Sequence, residues 1–496
     1  MGVIKKQGFL NTVLSYFGFI LGGINTIFLF PNFLVQEVFG LVRLMTDMAG
    51  IYAHISTFGL GSMMIRYFPH YRSDEDKRHN GIVFFYLFMV SAGFLVVTLF
   101  GLIFRGEIIE AYQENSALLV DYFYWLLPFG LAMMFYKVAE VLGKVVFKTV
   151  FPLITREVLM RLAIALGMVG VMMGFMSSMQ FFFYYTFSFI LIMPVLTFGY
   201  ILTLRKFSFQ PTMESFNRER AQEFMGYSFY AFFSTTSTNM AQRIDMLMVG
   251  SLIGLAGVSV YSIGYFIGVL VSLPFRGIGR IAGSVVADAW KDNDLGKIQR
   301  LYTRTSLIQT ILGCILLIGI YYNLDNLYYF IPENYRDGKW VVVIIGFGYL
   351  VDMVTGLNTY IIATCPKYRY DLLFNLIFLG LTIVLNYVFI PLYGLNGAAI
   401  GSAMAFVVFN LLKWGFLWWE YGLQPVNVRF LYVGGIAAVT VLVGQLLPSI
   451  PYVILDSVFK SLILGGGYML LILGLKISPD LNDMAGDVWK RIGRGA

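Results

Sequence analysis

The sequence predicts an all-α polytopic membrane protein of about fourteen transmembrane helices, arranged as two parallel six-helix lobes with two appended C-terminal helices. Three observations lead there. The 496 residues are 58% hydrophobic and only 13% charged, whereas a soluble chain is usually about 25% charged. Apolar runs of roughly 20 residues, the length that spans a bilayer, recur from end to end. The basic residues are sorted between alternate loops, as the positive-inside rule requires.

Taken in order, the expected spans are 9–30, 41–64, 81–104, 118–140, 153–175, 180–203, 225–249, 254–275, 304–323, 340–362, 372–390, 397–418, 430–447 and 454–475. The first follows the short basic Met1–Lys6 segment. Its apolar run is too long for a signal-peptide core, so it is read as a retained helix. An even count puts both termini on one side. With both inside, 26 of the 35 basic residues fall at cytoplasmic ends and loops. Only Arg43, Arg105, Arg336 and Lys339 fall outside, and Lys137, Arg161, Arg243, Lys413 and Lys460 lie within spans. The net charge of +7 is therefore topological, and no nucleic-acid partner is expected.

The repeat is six plus six plus two. The turn after span 1, Val38-Phe39-Gly40-Leu41, has a counterpart after span 7, Ala256-Gly257-Val258-Ser259-Val260-Tyr261. Each second helix leads into a basic segment, 66–80 and 276–304. Six spans per lobe make the repeat parallel, with its axis along the membrane normal. The domains expected are an N-terminal lobe (1–204), a cytoplasmic linker (205–224), a C-terminal lobe (225–422), the appended pair (423–475) and a cytoplasmic tail (476–496).

The polar groups inside the spans carry the functional argument. In span 2, at 100° per residue, Asp47 and His54 lie about 40° and 20° around the helix from Arg43. One narrow stripe holds all three. A mid-bilayer charge costs about 2.5–3.5 kcal/mol even on lenient scales, so the stripe is expected to face a wet cavity or polar ligand. The plainer reading is that Arg43 and Asp47 neutralise each other at i, i+4 and that His54 is a packing residue. In span 7, Arg243 and Asp245 are about 200° apart and need separate partners. The run Ser234–Asn239 before them gives that helix a hydrophilic wall. Asp352, near the middle of span 10, has no neutralising neighbour one turn away, which makes it a candidate functional carboxylate. Lys137, Glu140, Arg161 and Lys413 are expected to snorkel to the interface. Lys460 and Asp456 are expected to pair at i, i+4.

Chemistry is excluded more than indicated. Cys314 and Cys365 suggest neither a disulfide framework nor a metal site. His54, His70 and His79 lack metal-ligand spacing. No nucleophile–base set, phosphate loop or paired catalytic carboxylates are present, and the outer loops are short, the longest being 323–339. A membrane enzyme such as a polysaccharide polymerase is disfavoured, and no cofactor or metal is expected. Gly465-Gly466-Gly467 reads as close helix packing.

Several segments carry a family likeness. Ser15-Tyr16, Leu29-Phe30-Pro31, Phe39-Gly40-Leu41, Phe58-Gly59, Arg66-Tyr67-Phe68-Pro69, Arg243-Ile244-Asp245, Gly257-Val258-Ser259-Val260-Tyr261 and Pro391-Leu392-Tyr393-Gly394-Leu395-Asn396-Gly397-Ala398-Ala399 resemble polysaccharide and O-antigen flippases. These belong to the multidrug/oligosaccharidyl-lipid/polysaccharide exporter superfamily. The resemblance implies a transporter, not an enzyme, in the bacterial inner membrane. It would move an undecaprenyl-diphosphate-linked oligosaccharide to the outer leaflet for polysaccharide or lipopolysaccharide biosynthesis by alternating access. Membrane lipid, a coupling ion (H+ or Na+) and polysaccharide-assembly enzymes are the further partners implied. By the same resemblance Arg43 and Arg243 hold the diphosphate, and the polar positions Asp47, His54, Asp245 and Asp352 are expected to line the cavity. Spans 13 and 14 would offer a groove for the lipid tail. Lipid-II flippases place arginines in the first helix, and this sequence has none between Lys6 and Arg43. The alternative is an ion-coupled multidrug or toxin exporter of the same fold, with Asp352 as its ion-coupled carboxylate.

Overall fold

The computed structural model describes residues 2–73, 75–212 and 217–494. Residues 213–216 of the expected linker, and the side chains of Lys5, Lys6, Arg276, Arg280, Lys490, Arg491 and Arg494, lie outside the described residues. Among the described residues the chain is helical without strands. Inside a bilayer every backbone N–H and C=O must be satisfied within the segment, and helices alone do this for runs of this length. Among the described residues ten helices are long and apolar enough to cross a membrane.

The chain forms two compact units, Met1–Ser262 and Ile263–Ala496. In the first unit, α1 (Gly2–Gly23) runs through a π-helical turn, Ile24–Leu29, into Phe30–Phe33. Next come α2 (Gln36–Ser56), α3 (Leu60–Tyr71), α4 (Ile82–Ile103), α5 (Arg105–Gln113) and α6 (Leu126–Val145). Then follow α7 (Met160–Met172), α8 (Ser178–Leu191), α9 (Arg218–Ala241), α10 (Ile244–Leu252) and α11 (Leu255–Val269), within which the units divide. Met63, Met64 and Phe68 of α3 pack with Ile82, Val83 and Tyr86 of α4 and with Val138 and Leu142 of α6 in one buried cluster.

Two of the expected spans are broken where the candidate site lies. Span 41–64 is interrupted at Thr57–Gly59, between α2 and α3. Phe58 and Gly59 take φ of 42° and 68°, and a Cβ on Gly59 would stand 2.3 Å from the Ser228 carbonyl oxygen of α9. Only glycine meets both demands. Span 225–249 is interrupted at Gln242–Arg243, where Arg243 takes φ −132°, ψ −16° before α10 begins.

In the second unit, α12 (Leu273–Lys291), α13 (Leu295–Tyr328), α14 (Lys339–Thr355) and α15 (Asn358–Thr364) precede the 53-residue α16 (Arg369–Tyr421). Gly394, at φ 57°, ψ −133°, kinks α16 into two arms just after Pro391. Phe378 then stacks on Phe409 at 4.7 Å and Phe374 meets Phe416 at 5.6 Å. The arms thus run back along each other, and expected spans 372–390 and 397–418 are these arms. α17 (Val428–Leu446), α18 (Val453–Lys460), α19 (Gly466–Gly474) and α20 (Pro479–Arg494) complete the unit. Val433, Tyr468 and Ile472 pack with Leu307 and Ile311 of α13.

Candidate functional site

The break between α9 and α10 places the site. It turns Arg243 away from either helix axis and toward α2, where its Nη1 donates to Asp47 Oδ1. Arg43, one turn before Asp47 on α2, approaches the other carboxylate oxygen, with Nε 3.2 Å from Oδ2. That contact is an ion pair lacking the alignment of a hydrogen bond. One carboxylate therefore holds two guanidiniums. Asp47 is 3% exposed, whereas the Arg43 and Arg243 side chains are 35% and 41% exposed. The covered carboxylate is the anchor, and each guanidinium, with its fork of donors, keeps an open side.

A third basic group joins them. Lys137 of α6 points its Nζ at the Gly50 carbonyl oxygen, 3.4 Å away. A Cβ at Gly50 would lie 3.6 Å from Arg243 Nη1. His54, one turn further along α2 and half-buried, lies within the electrostatic reach of both Lys137 and Arg243. Arg43, Asp47, His54, Lys137 and Arg243 thus form one cluster inside the first unit. Two guanidiniums against one carboxylate leave it cationic before Lys137 is counted.

Lys137 was expected to snorkel to the interface, and the structure corrects that. A carbonyl on the neighbouring helix gives its amine an internal partner. Arg161 is corrected likewise: its Nη2 bonds Glu157 Oε2 at 2.7 Å and its Nη1 donates to the Gly18 carbonyl of α1 at 2.5 Å. Glu140 pairs with Lys144 at 3.0 Å. Lys460 and Asp456 do pair, at 2.7 Å.

Asp245 and Asp352 lie apart from the cluster. Asp245, 3% exposed, accepts from the Tyr261 hydroxyl at 2.7 Å and from the Met246 N–H at 2.7 Å. A carboxylate in the first turn of α10 also suits the helix dipole. Asp352, on α14 in the second unit, is buried beside Asn410 and faces the charge of Lys413. Asn410 Oδ1 accepts from Thr355 Oγ1 and Asn358 Nδ2 at 3.1 and 3.0 Å. Lys413, expected to snorkel, is instead 1% exposed, paired with Asp371 at 3.0 Å and seated 4.1 Å from the centre of the Phe409 ring. The kink at Gly394 makes this possible, because it returns Lys413 alongside Asp371 on the other arm of α16.

The sequence model for polysaccharide biosynthesis proteins matches residues 4–282, more than half of the chain and including every member of the cationic cluster. The chain belongs to the polysaccharide biosynthesis protein family. Comparison with curated protein sequences gives no match. Among solved structures, the fold is similar to that of the lipid II flippase MurJ in an inward closed conformation. That alignment has a TM-score of 0.75 at 12% identity and covers 95% of this chain and 100% of that one. It is also similar to a multidrug resistance MATE family transporter of the MOP superfamily. The inward-facing conformation aligns with TM-score 0.59 and 15% identity, covering 82% of this chain and 93% of that one. The outward-facing conformation gives 0.55 and 15%, covering 84% and 94%. At these identities the likeness is one of fold, and the fold of this polysaccharide biosynthesis protein is that of the MOP exporters. The family resemblance read from the sequence holds, and the fold is the one the superfamily resemblance implies.

Proposed function

We propose that this protein flips an undecaprenyl-diphosphate-linked oligosaccharide from the cytoplasmic to the outer leaflet of the bacterial inner membrane, by alternating access, in polysaccharide or lipopolysaccharide biosynthesis. The observation that carries this reading is the pair of half-exposed guanidiniums, Arg43 and Arg243, held on one covered carboxylate. A diphosphate is the anion such a pair suits, since planar guanidiniums bind phosphate oxygens through two donors at once. Asp47 sets their spacing, Lys137 adds a further donor, and His54 extends the polar wall on which the sugars run. Asp245 fixes the α9–α10 break that aims Arg243. The fourteen-span ladder, with both termini cytoplasmic and lobes at 1–204 and 225–422, is the organisation that goes with this reading. Moving an anion out of a negative interior is favoured by about 2.3 kcal/mol per charge per 100 mV.

A second reading, an ion-coupled multidrug or toxin exporter, draws on the MATE likeness and on the buried Asp352. In that reading Asp352 is the ion-coupled carboxylate. Cargo separates the two. Purified protein in sealed vesicles is offered a labelled lipid-diphosphate-oligosaccharide and, separately, a cationic dye. Movement of the lipid-linked sugar without dye extrusion is the expected result. Dye extrusion without sugar movement would replace the flippase with the drug exporter.

A further inference from the structure

Next to the cationic cluster the first unit holds an apolar cavity of about 790 Å³, within the ~300–1,000 Å³ range of ligand pockets. The elements that bring Asp47 and Arg243 together also line it. α2 contributes Met48, Ile51 and Ile55, about 80–140° around the helix from Arg43, so the charged stripe and the apolar wall are adjacent faces of one helix. α10 contributes Leu247, one turn beyond Arg243, and α4 contributes Ala92 and Val96. Ile51 stands about 6 Å along the axis from Asp47. Phe58 and Phe232, stacked at 4.5 Å, line it together, and Val96, Phe100 and Phe104, also in its lining, are exposed.

We propose that this cavity seats the prenyl units nearest the diphosphate, as a second subsite of the arginine-pair site. The inference rests on the flippase reading. It specifies that the grip recognises a prenyl diphosphate rather than a bare diphosphate. An apolar cavity lined by Met48 and Leu247, which lie one and four residues from Asp47 and Arg243 in the chain, matches a ligand whose charged head carries a hydrocarbon chain. In the bilayer the chain gains little by leaving lipid for an equally apolar wall, so the cavity orients the head on the arginines. In water the same contact is read as affinity, because each buried methylene is favourable.

The test uses the full chain in detergent with water-soluble probes: inorganic diphosphate, geranyl diphosphate and farnesyl diphosphate. Affinity is expected to rise on the order of tenfold or more with each lengthening, an amount well within the transfer gain of a prenyl unit. Ala92→Phe, which fills the cavity, and the milder Ala92→Leu are expected to flatten that series progressively while leaving inorganic diphosphate binding unchanged. A chain-length series unaltered by both variants would overturn the proposal and put the chain elsewhere, with the groove at spans 13 and 14 the first place to look. Phosphatidylglycerol competing as well as farnesyl diphosphate would also overturn it, marking the cavity as a seat for ordinary bilayer lipid. The flippase reading fails differently: no probe, inorganic diphosphate included, would then bind in a manner sensitive to Arg43→Ala and Arg243→Ala.

Discussion

Replacing Asp47 by alanine leaves Arg43 and Arg243 facing each other without the charge that holds them. Removing one partner of a fully buried ion pair costs about 3–5 kcal/mol, because the other charge is left desolvated. Here the carboxylate is covered but both guanidiniums are more than a third exposed, so solvent takes up part of the loss. The expected destabilisation is about 1–3 kcal/mol, combining the buried-pair cost with that screening. Asp47→Asn, which keeps an acceptor, should fall at the low end. Because large membrane proteins rarely unfold reversibly, the readout is the half-life of the folded, monodisperse protein at fixed temperature. A double-mutant cycle then isolates the pair. Arg243→Ala should cost less when Asp47 is already alanine, with a coupling of about 0.5–3 kcal/mol. Additive effects of the two substitutions would show that Arg243 does not depend on Asp47, and the site as described would be wrong.

Three further outcomes follow from particular contacts. Lys413→Met alone should shorten the folded half-life, since it removes the cation facing the partly buried Asp371 and the buried Asp352, at a cost of up to about 3–5 kcal/mol. Lys413→Met combined with Asp371→Leu should recover the share due to Asp371, and no recovery at all would make Asp352 the carboxylate that depends on Lys413. Gly394→Ala should lower the yield of monodisperse protein by straining the kink, a conformation costing about 1–3 kcal/mol in a non-glycine residue. An unchanged yield would mean that the two arms of α16 do not need the kink. His79 is buried, its Nδ1 accepting from the Ser73 N–H at 3.1 Å and its Nε2–H donating to the Lys206 carbonyl at 2.9 Å. His79→Ala should free the start of the linker, read as faster protease cleavage between Arg205 and Thr212, and an unchanged digestion pattern would refute that tether.

The fold was legible in the sequence because apolar run length and the sorting of basic loops are direct consequences of the bilayer. The Arg43–Asp47 contact was legible too, since i, i+4 spacing on a helix is fixed by geometry. The partner Arg243 was not. Its approach to Asp47 needs a break at Gln242–Arg243, and the polar run before it reads equally as a continuous hydrophilic face. Lys137 and Lys413 were misplaced for a related reason. Position near a helix end suggests snorkelling, but their partners, the Gly50 carbonyl and the Asp371 carboxylate, are 87 and 42 residues away in the chain (137 − 50; 413 − 371). One signal was available for Lys413: Pro391 and Gly394 together mark the reversal that brings Asp371 back to it. Asp352 is isolated along its own helix, because Asn410 and Lys413 come from α16.

In the proposed function the Arg43–Asp47–Arg243 arrangement grips the diphosphate of a lipid-linked oligosaccharide during transfer between leaflets. The most direct measurement is leaflet-to-leaflet movement of a labelled lipid-diphosphate-oligosaccharide in vesicles, with wild type compared against Arg43→Ala/Arg243→Ala inserted at equal density. Transport by wild type and its loss in the folded double variant is the result expected. Undiminished transport by the double variant would contradict the account.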